Sequence, residues 1–90
     1  GYYKTGAFGI RIENLVAVRP CESEDDAERE MLEFETLTLA PIDRALVDVD
    51  LLTEAERTWL NAYHERVRAL IGPQLDASTR SWLEAATAPV

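Results

Sequence analysis

Two glutamates carry the chemistry that this 90-residue sequence can offer most directly. Glu13 follows Ile10-Arg11-Ile12 and precedes the apolar run Leu15-Val16-Ala17-Val18. Glu35 follows Phe34 and is trailed by Leu37 and Leu39. A carboxylate among apolar neighbours is costly to bury without a partner. Two of them on adjacent apolar segments suggest one shared neutraliser. A divalent cation suits the role, because carboxylate oxygens ligate hard and borderline metals. The plainer reading is that each is half exposed, or pairs with Arg11 or Lys4. Two carboxylates do not by themselves define a metal site.

The other reactive side chains point to less. His64 is the only histidine, and no second His or Cys stands at ligand spacing from it. A lone helical histidine reads as a surface or boundary residue. Ser23, Ser78 and Ser81 fall in loop or helix-start contexts where capping accounts for them. Cys21 has acidic neighbours that disfavour its thiolate. Gly6-Ala7-Phe8-Gly9 lacks the full phosphate-loop pattern and a following helix. Six of the ten residues from Cys21 to Glu30 are acidic; they read as a solvated connection, since a run of that kind fixes no ligand geometry.

The elements that must hold the two glutamates are strands. Phe8 to Val18 reads as one strand, alternating at first and then continuously apolar, as in a strand buried on both faces. Pro20 ends it. Met31 to Leu39 reads as a second, with Leu32, Phe34, Thr36 and Thr38 on one face and Glu33, Glu35, Leu37 and Leu39 on the other. The two are expected to pair antiparallel. Residues 42–52 have no clear shape.

Thr53-Glu54-Ala55-Glu56 is a capping box. The helix after it sets Trp59, Leu60, Tyr63, Val67, Leu70 and Ile71 on one face, and Gly72-Pro73 terminates it. A second helix starts near Asp76, shows Trp82, Leu83 and Ala86 on one side, and closes at Pro89. Trp59 and Trp82 read as core, with a partner face as the alternative. The fold class is therefore α+β: antiparallel strands followed by two helices.

Composition bounds the partners. The net charge is −8, and residues 1–50 hold twelve acidic against five basic residues. That balance excludes a basic nucleic-acid footprint and disfavours an anionic membrane. No apolar run reaches the ~18 residues of a membrane span. One cysteine allows no internal disulfide, which fits a reducing, cytoplasmic setting. A chain this short buries only a small core. It opens on Gly1-Tyr2-Tyr3 rather than Met, which reads as a cut through a longer polypeptide.

Three stretches together resemble the aminopeptidase P group of metallopeptidases, family M24. They are Gly1 to Leu15 (GYYKTGAFGIRIENL), Leu32 to Asp43 (LEFETLTLAPID), and Leu52 to His64 with LTEAER and WLNAYH. The similarity covers essentially the whole chain. It implies a pita-bread catalytic domain whose last strands are residues 1–41, followed by a C-terminal helical extension at 42–90. It implies Xaa-Pro hydrolysis by a two-metal site, with manganese as the expected metal and zinc or cobalt as alternatives. Its ligands are two aspartates, one histidine and two glutamates. The resemblance assigns the glutamates to Glu13 and Glu35, with Glu35 bridging and Glu13 also able to exchange a proton with the metal-bound water.

The other three ligands would lie before Gly1, so the segment alone is expected to be inactive. Its partners would be the rest of the catalytic domain, a proline-containing peptide and a second subunit. The alternative is a non-catalytic module for dimer contacts in an aminopeptidase-P-like protein.

Overall fold

A computed structural model describes residues 1–22 and 29–90 and divides into two compact units, Gly1–Thr38 and Leu39–Val90. The acidic connection expected between the strands falls largely outside the described residues. The architecture is α+β, with two antiparallel strand pairs and then two helices.

In the first unit, β1 (Tyr2–Lys4) pairs with β2 (Phe8–Ile10), with Tyr2 opposite Ile10 and Lys4 opposite Phe8. Gly6 closes the hairpin at φ +73°, a left-handed conformation that other residues adopt only at a cost. Gly9 sits opposite Tyr3, and a Cβ there would come within 2.7 Å of the Tyr3 ring. The glycine thus lets the ring lie over the partner strand.

β3 (Val16–Pro20) pairs with β4 (Leu32–Thr36), with Ala17 opposite Glu35 and Arg19 opposite Glu33. The expected continuous strand over Phe8–Val18 is instead two strands with different partners, separated by residues 11–15. The switch has a visible cause on its downstream side. The Thr38 hydroxyl accepts from Leu15 N at 2.7 Å, and Leu15 O accepts from Leu37 N at 2.8 Å. A side chain thereby takes over a ladder bond, and regular pairing stops at Val16. β4 is likewise shorter than the expected Met31–Leu39.

Cross-strand partners share a face, so Val16, Val18, Leu32 and Phe34 line one side of this ladder. That side is open: Phe34 is 73% exposed and Leu32 66%. The expectation of a strand buried on both faces fails here: Val16 is 47% exposed and Val18 61%.

The second unit is built on local signals. Asp43 and Asp48 each accept from the backbone N–H two residues on, at 3.0 and 3.1 Å, and open two 3-10 turns, Arg44–Leu46 and Val49–Leu51. α1 (Glu54–Ile71) starts at the expected capping box: Glu56 N donates to Thr53 Oγ1 and Thr53 N to Glu56 Oε2. Gly72 remains right-handed and passes into a 3-10 turn, Gly72–Gln74, rather than a left-handed cap. Pro73, which lacks an amide hydrogen, prevents α-helical continuation. α2 (Ala77–Ala86) is capped by Asp76, which accepts from Thr79 N at 2.8 Å. That bond holds the Asp76 carboxyl below its ordinary range.

Tyr63, Val67 and Leu83 form the core, with Leu39, Ile42, Ile71 and Leu75 packed on it. Three expectations need correction. His64, expected at the boundary, is buried. Trp59 and Trp82, expected in the core, are exposed. The inward face of α1 is Leu60, Tyr63, His64 and Val67, at steps of three and four.

Candidate functional site

The stretch that changes sheet partner carries Glu13. Its carboxylate is exposed and paired with the Arg11 guanidinium. Arg11 Nη1 also donates to the Tyr3 hydroxyl at 2.6 Å, and the Tyr3 ring is seated over Gly9. A chain of contacts therefore runs from the first hairpin to Glu13. An exposed ion pair of this kind is weak in water, so Arg11 orients Glu13 without shutting it off from another cation. The sequence left metal and arginine open as partners for Glu13; Arg11 is the partner present.

Glu35 lies on β4 and is half buried. Its backbone pairs with Ala17 across the ladder. Its neighbour on the same face, Glu33, is engaged: Arg19 Nε donates to it at 2.8 Å, and the Cys21 thiol lies 3.8 Å from its other oxygen. The hydrogen bond to Glu33, helped by the fields of Glu33, Glu35 and Glu22, raises the pKa of Arg19 and keeps it firmly charged. Cys21 is in no disulfide, and its thiol acts as a donor toward the Glu33 carboxylate.

The ladder does not set Glu13 and Glu35 opposite each other. Glu35 faces Ala17, four residues beyond Glu13, and Glu13 lies outside any strand. The expectation of two glutamates on neighbouring strands is corrected accordingly. Among the described residues, no group of three or more His, Cys, Asp or Glu side chains could hold a metal ion. The described residues alone do not make a two-metal centre. Glu13 fits such a centre as one donor, because its carboxylate is accessible and only loosely held. An open depression of about 300 Å³ by α1 and α2 includes Arg68 and Arg80 in its wall. Arg68 donates to Thr87 O and Arg80 pairs with Glu84 at 3.6 Å, so neither cation is uncommitted.

Sequence reasoning missed His64. Its Nε2 accepts from Ile42 N at 3.0 Å, and the preceding Tyr63 hydroxyl donates to Ala40 O at 2.6 Å. The signal was present: position 64 falls at helical spacing between Leu60 and Val67, both inward.

Residues 30–90 match the model of the C-terminal region of peptidase M24, and the chain belongs to that family. Over its whole length it is 44% identical to Aminopeptidase P1 of Lotus japonicus and 41% identical to Aminopeptidase P1 of Arabidopsis thaliana, covering 14% of each. It is 43% identical to the "Probable Xaa-Pro aminopeptidase P" of Arthroderma benhamiae, covering 13% of that protein. Among solved structures it is similar to X-prolyl aminopeptidase of Caenorhabditis elegans, described as a cytosolic enzyme with a di-nuclear active site. The TM-score there is 0.87 at 36% identity, over 99% of this chain and 15% of that one. The chain thus spans about one seventh of the length of these relatives.

Proposed function

We propose that this chain is the C-terminal part of an Xaa-Pro aminopeptidase, a peptidase that removes the N-terminal residue preceding proline. The observation that carries the reading is the likeness to aminopeptidase P proteins over the entire chain. The C. elegans neighbour is named as a di-nuclear enzyme, which supports a two-metal centre in the complete protein. When bound, two divalent metals lower the pKa of a water and so supply a hydroxide nucleophile at neutral pH. Manganese is the metal proposed, with zinc and cobalt as alternatives.

This segment would contribute carboxylate, and Glu13 is the first candidate. Arg11 aims it, and in the complete site Glu13 would ligate metal and could hold a proton from the attacking water. Glu35 is the second candidate and rests on the resemblance; in the ladder it pairs with Ala17. The remaining ligands and the walls that recognise proline would come from the rest of the catalytic domain. The worm enzyme's cytosolic description supports a cytoplasmic setting.

The test uses the complete protein and an Xaa-Pro peptide. Glu13→Gln should lower kcat/KM by more than about 100-fold, beyond the range typical of residues that merely support a ligand. Glu33→Gln should change it little, because Glu33 serves Arg19. If Glu35 is a ligand, Glu35→Gln will match Glu13→Gln; if it behaves like Glu33→Gln, Glu13 is the segment's sole contribution. Full activity in Glu13→Gln would remove the assignment.

A second reading is a non-catalytic interaction module, including a homodimer contact. The exposure of Trp59 and Trp82 favours a covered surface in the assembled protein. The two readings separate on whether the complete protein binds metal and cleaves.

A further inference from the structure

The motif Trp59-Leu60-Asn61-Ala62-Tyr63-His64 has no part in the proposed metal chemistry, yet nearly every residue in it is engaged. Leu60 is buried, and Trp59 stacks on Tyr63 at 5.3 Å and 4°. The Asn61 amide donates to Val90 O at 3.3 Å and accepts from Val90 N at 2.9 Å. Tyr63 and His64 grip the backbone on either side of Pro41, through Ala40 O and Ile42 N. The motif is a clasp that holds the segment at residues 40–42 and the last residue against α1.

One part of the clasp depends on a proton. An imidazole nitrogen that accepts a hydrogen bond carries no hydrogen, so Nε2 is bare and the neutral ring is protonated at Nδ1. His64 is only 1% exposed, and its Nδ1 has no partner among the described residues. Adding a proton at Nε2 would set two donors, Nε2–H and Ile42 N–H, against each other in a buried place. The charged groups that bear on the ring are both cations. Arg44 comes from the first 3-10 turn and donates to Ala85 O and Ala86 O of α2; Arg68 lies one turn along α1 and donates to Thr87 O. Asp43 is turned to Ala45 N, and the Tyr63 hydroxyl to Ala40 O. A third positive charge would stand beside two.

We propose that His64 is a proton-operated latch: neutral, it holds residues 40–42 on α1, and protonated, it releases them. Burial first, then Arg44 and Arg68, lower its pKa from the ordinary value near 6.5. The stabilisation is therefore complete above about pH 6.5 and is lost as pH falls from there through the folded-state value. One proton taken up on opening changes the opening equilibrium by about tenfold per pH unit within that window.

Hydrogen exchange on the complete protein, followed by mass spectrometry of a peptide spanning residues 40–46, reads this directly. After correction for intrinsic rates, wild-type protection should fall up to about tenfold per pH unit below 6.5. In His64→Gln, whose side-chain oxygen can still accept from Ile42 N, protection should be independent of pH from 5 to 7.5. Equal wild-type protection at both ends of that range, or the same decline in His64→Gln, would overturn the latch. Exchange at the imidazole C2–H of the wild-type protein gives an independent reading should the variant not fold. Titration of His64 at or above 6.5 there would equally overturn it.

Discussion

The two units solve the problem of stability differently. Leu39–Val90 closes on itself: Val67 is fully buried, the helix starts are capped, and Arg44 and Arg68 engage carbonyls at the end of α2. The residues described in Gly1–Thr38 include none that is buried. That unit is held by two short ladders and a few side-chain contacts, and one whole apolar face of the second ladder is open. Both candidate metal ligands lie on this less self-sufficient unit. The helical unit is an autonomous packing problem, whereas the strand unit is expected to be a surface made to be covered by other parts of the protein.

Activity is where the largest effect is expected. The isolated 90-residue chain, purified and supplied with manganese, should leave Ala-Pro-Ala intact. Two carboxylates hold a divalent ion only loosely, and aim is a large part of catalysis. Cleavage that followed the chain through purification and vanished in Glu13→Ala would refute this.

Stability comes next. Leu83→Ala removes a side chain that is 2% exposed and should cost about 2–5 kcal/mol in denaturant unfolding of either the chain or the complete protein. Phe34→Ala should behave differently in the two. In the isolated chain the ring is 73% exposed and the loss should be small. In the complete protein, if that face is covered, it should reach about 3–5 kcal/mol. Equal small losses in both would contradict the idea of a surface made to be covered.

A smaller effect checks the autonomy of the helical unit. Thr53→Ala removes the capping hydroxyl and should cost about 1 kcal/mol, measured by the same unfolding midpoint. No change would mean that tertiary packing, rather than the capping box, sets the start of α1.

What was legible in the sequence follows the same division. The capping box at Thr53 and Glu56, the stop at Gly72-Pro73 and the start at Asp76 are local signals, resolved within four residues. They transfer to the structure. The antiparallel pairing of β3 with β4 was also legible, from apolar strands on either side of a polar connection.

The break at residues 11–15 was not. It depends on the Thr38 hydroxyl reaching Leu15 N, a contact across 23 positions that no local pattern encodes. Trp82 read as core because apolar character predicts burial only when a neighbour exists to bury it. His64 was misplaced because a lone polar residue on an apolar face looks like a boundary, unless its backbone partner, here Ile42, is known. That Glu13 lies outside the ladder, while Glu35 pairs with Ala17, was not legible either.

The proposed contribution of this segment is a metal ligand to a centre completed elsewhere in the protein. Metal content of the complete protein, measured after dialysis in wild type and in Glu13→Gln, tests it most directly. Two divalent ions per wild-type chain are expected, with a loss of at least one in the variant and the fold preserved by circular dichroism. Two ions retained in Glu13→Gln at unchanged affinity would contradict it.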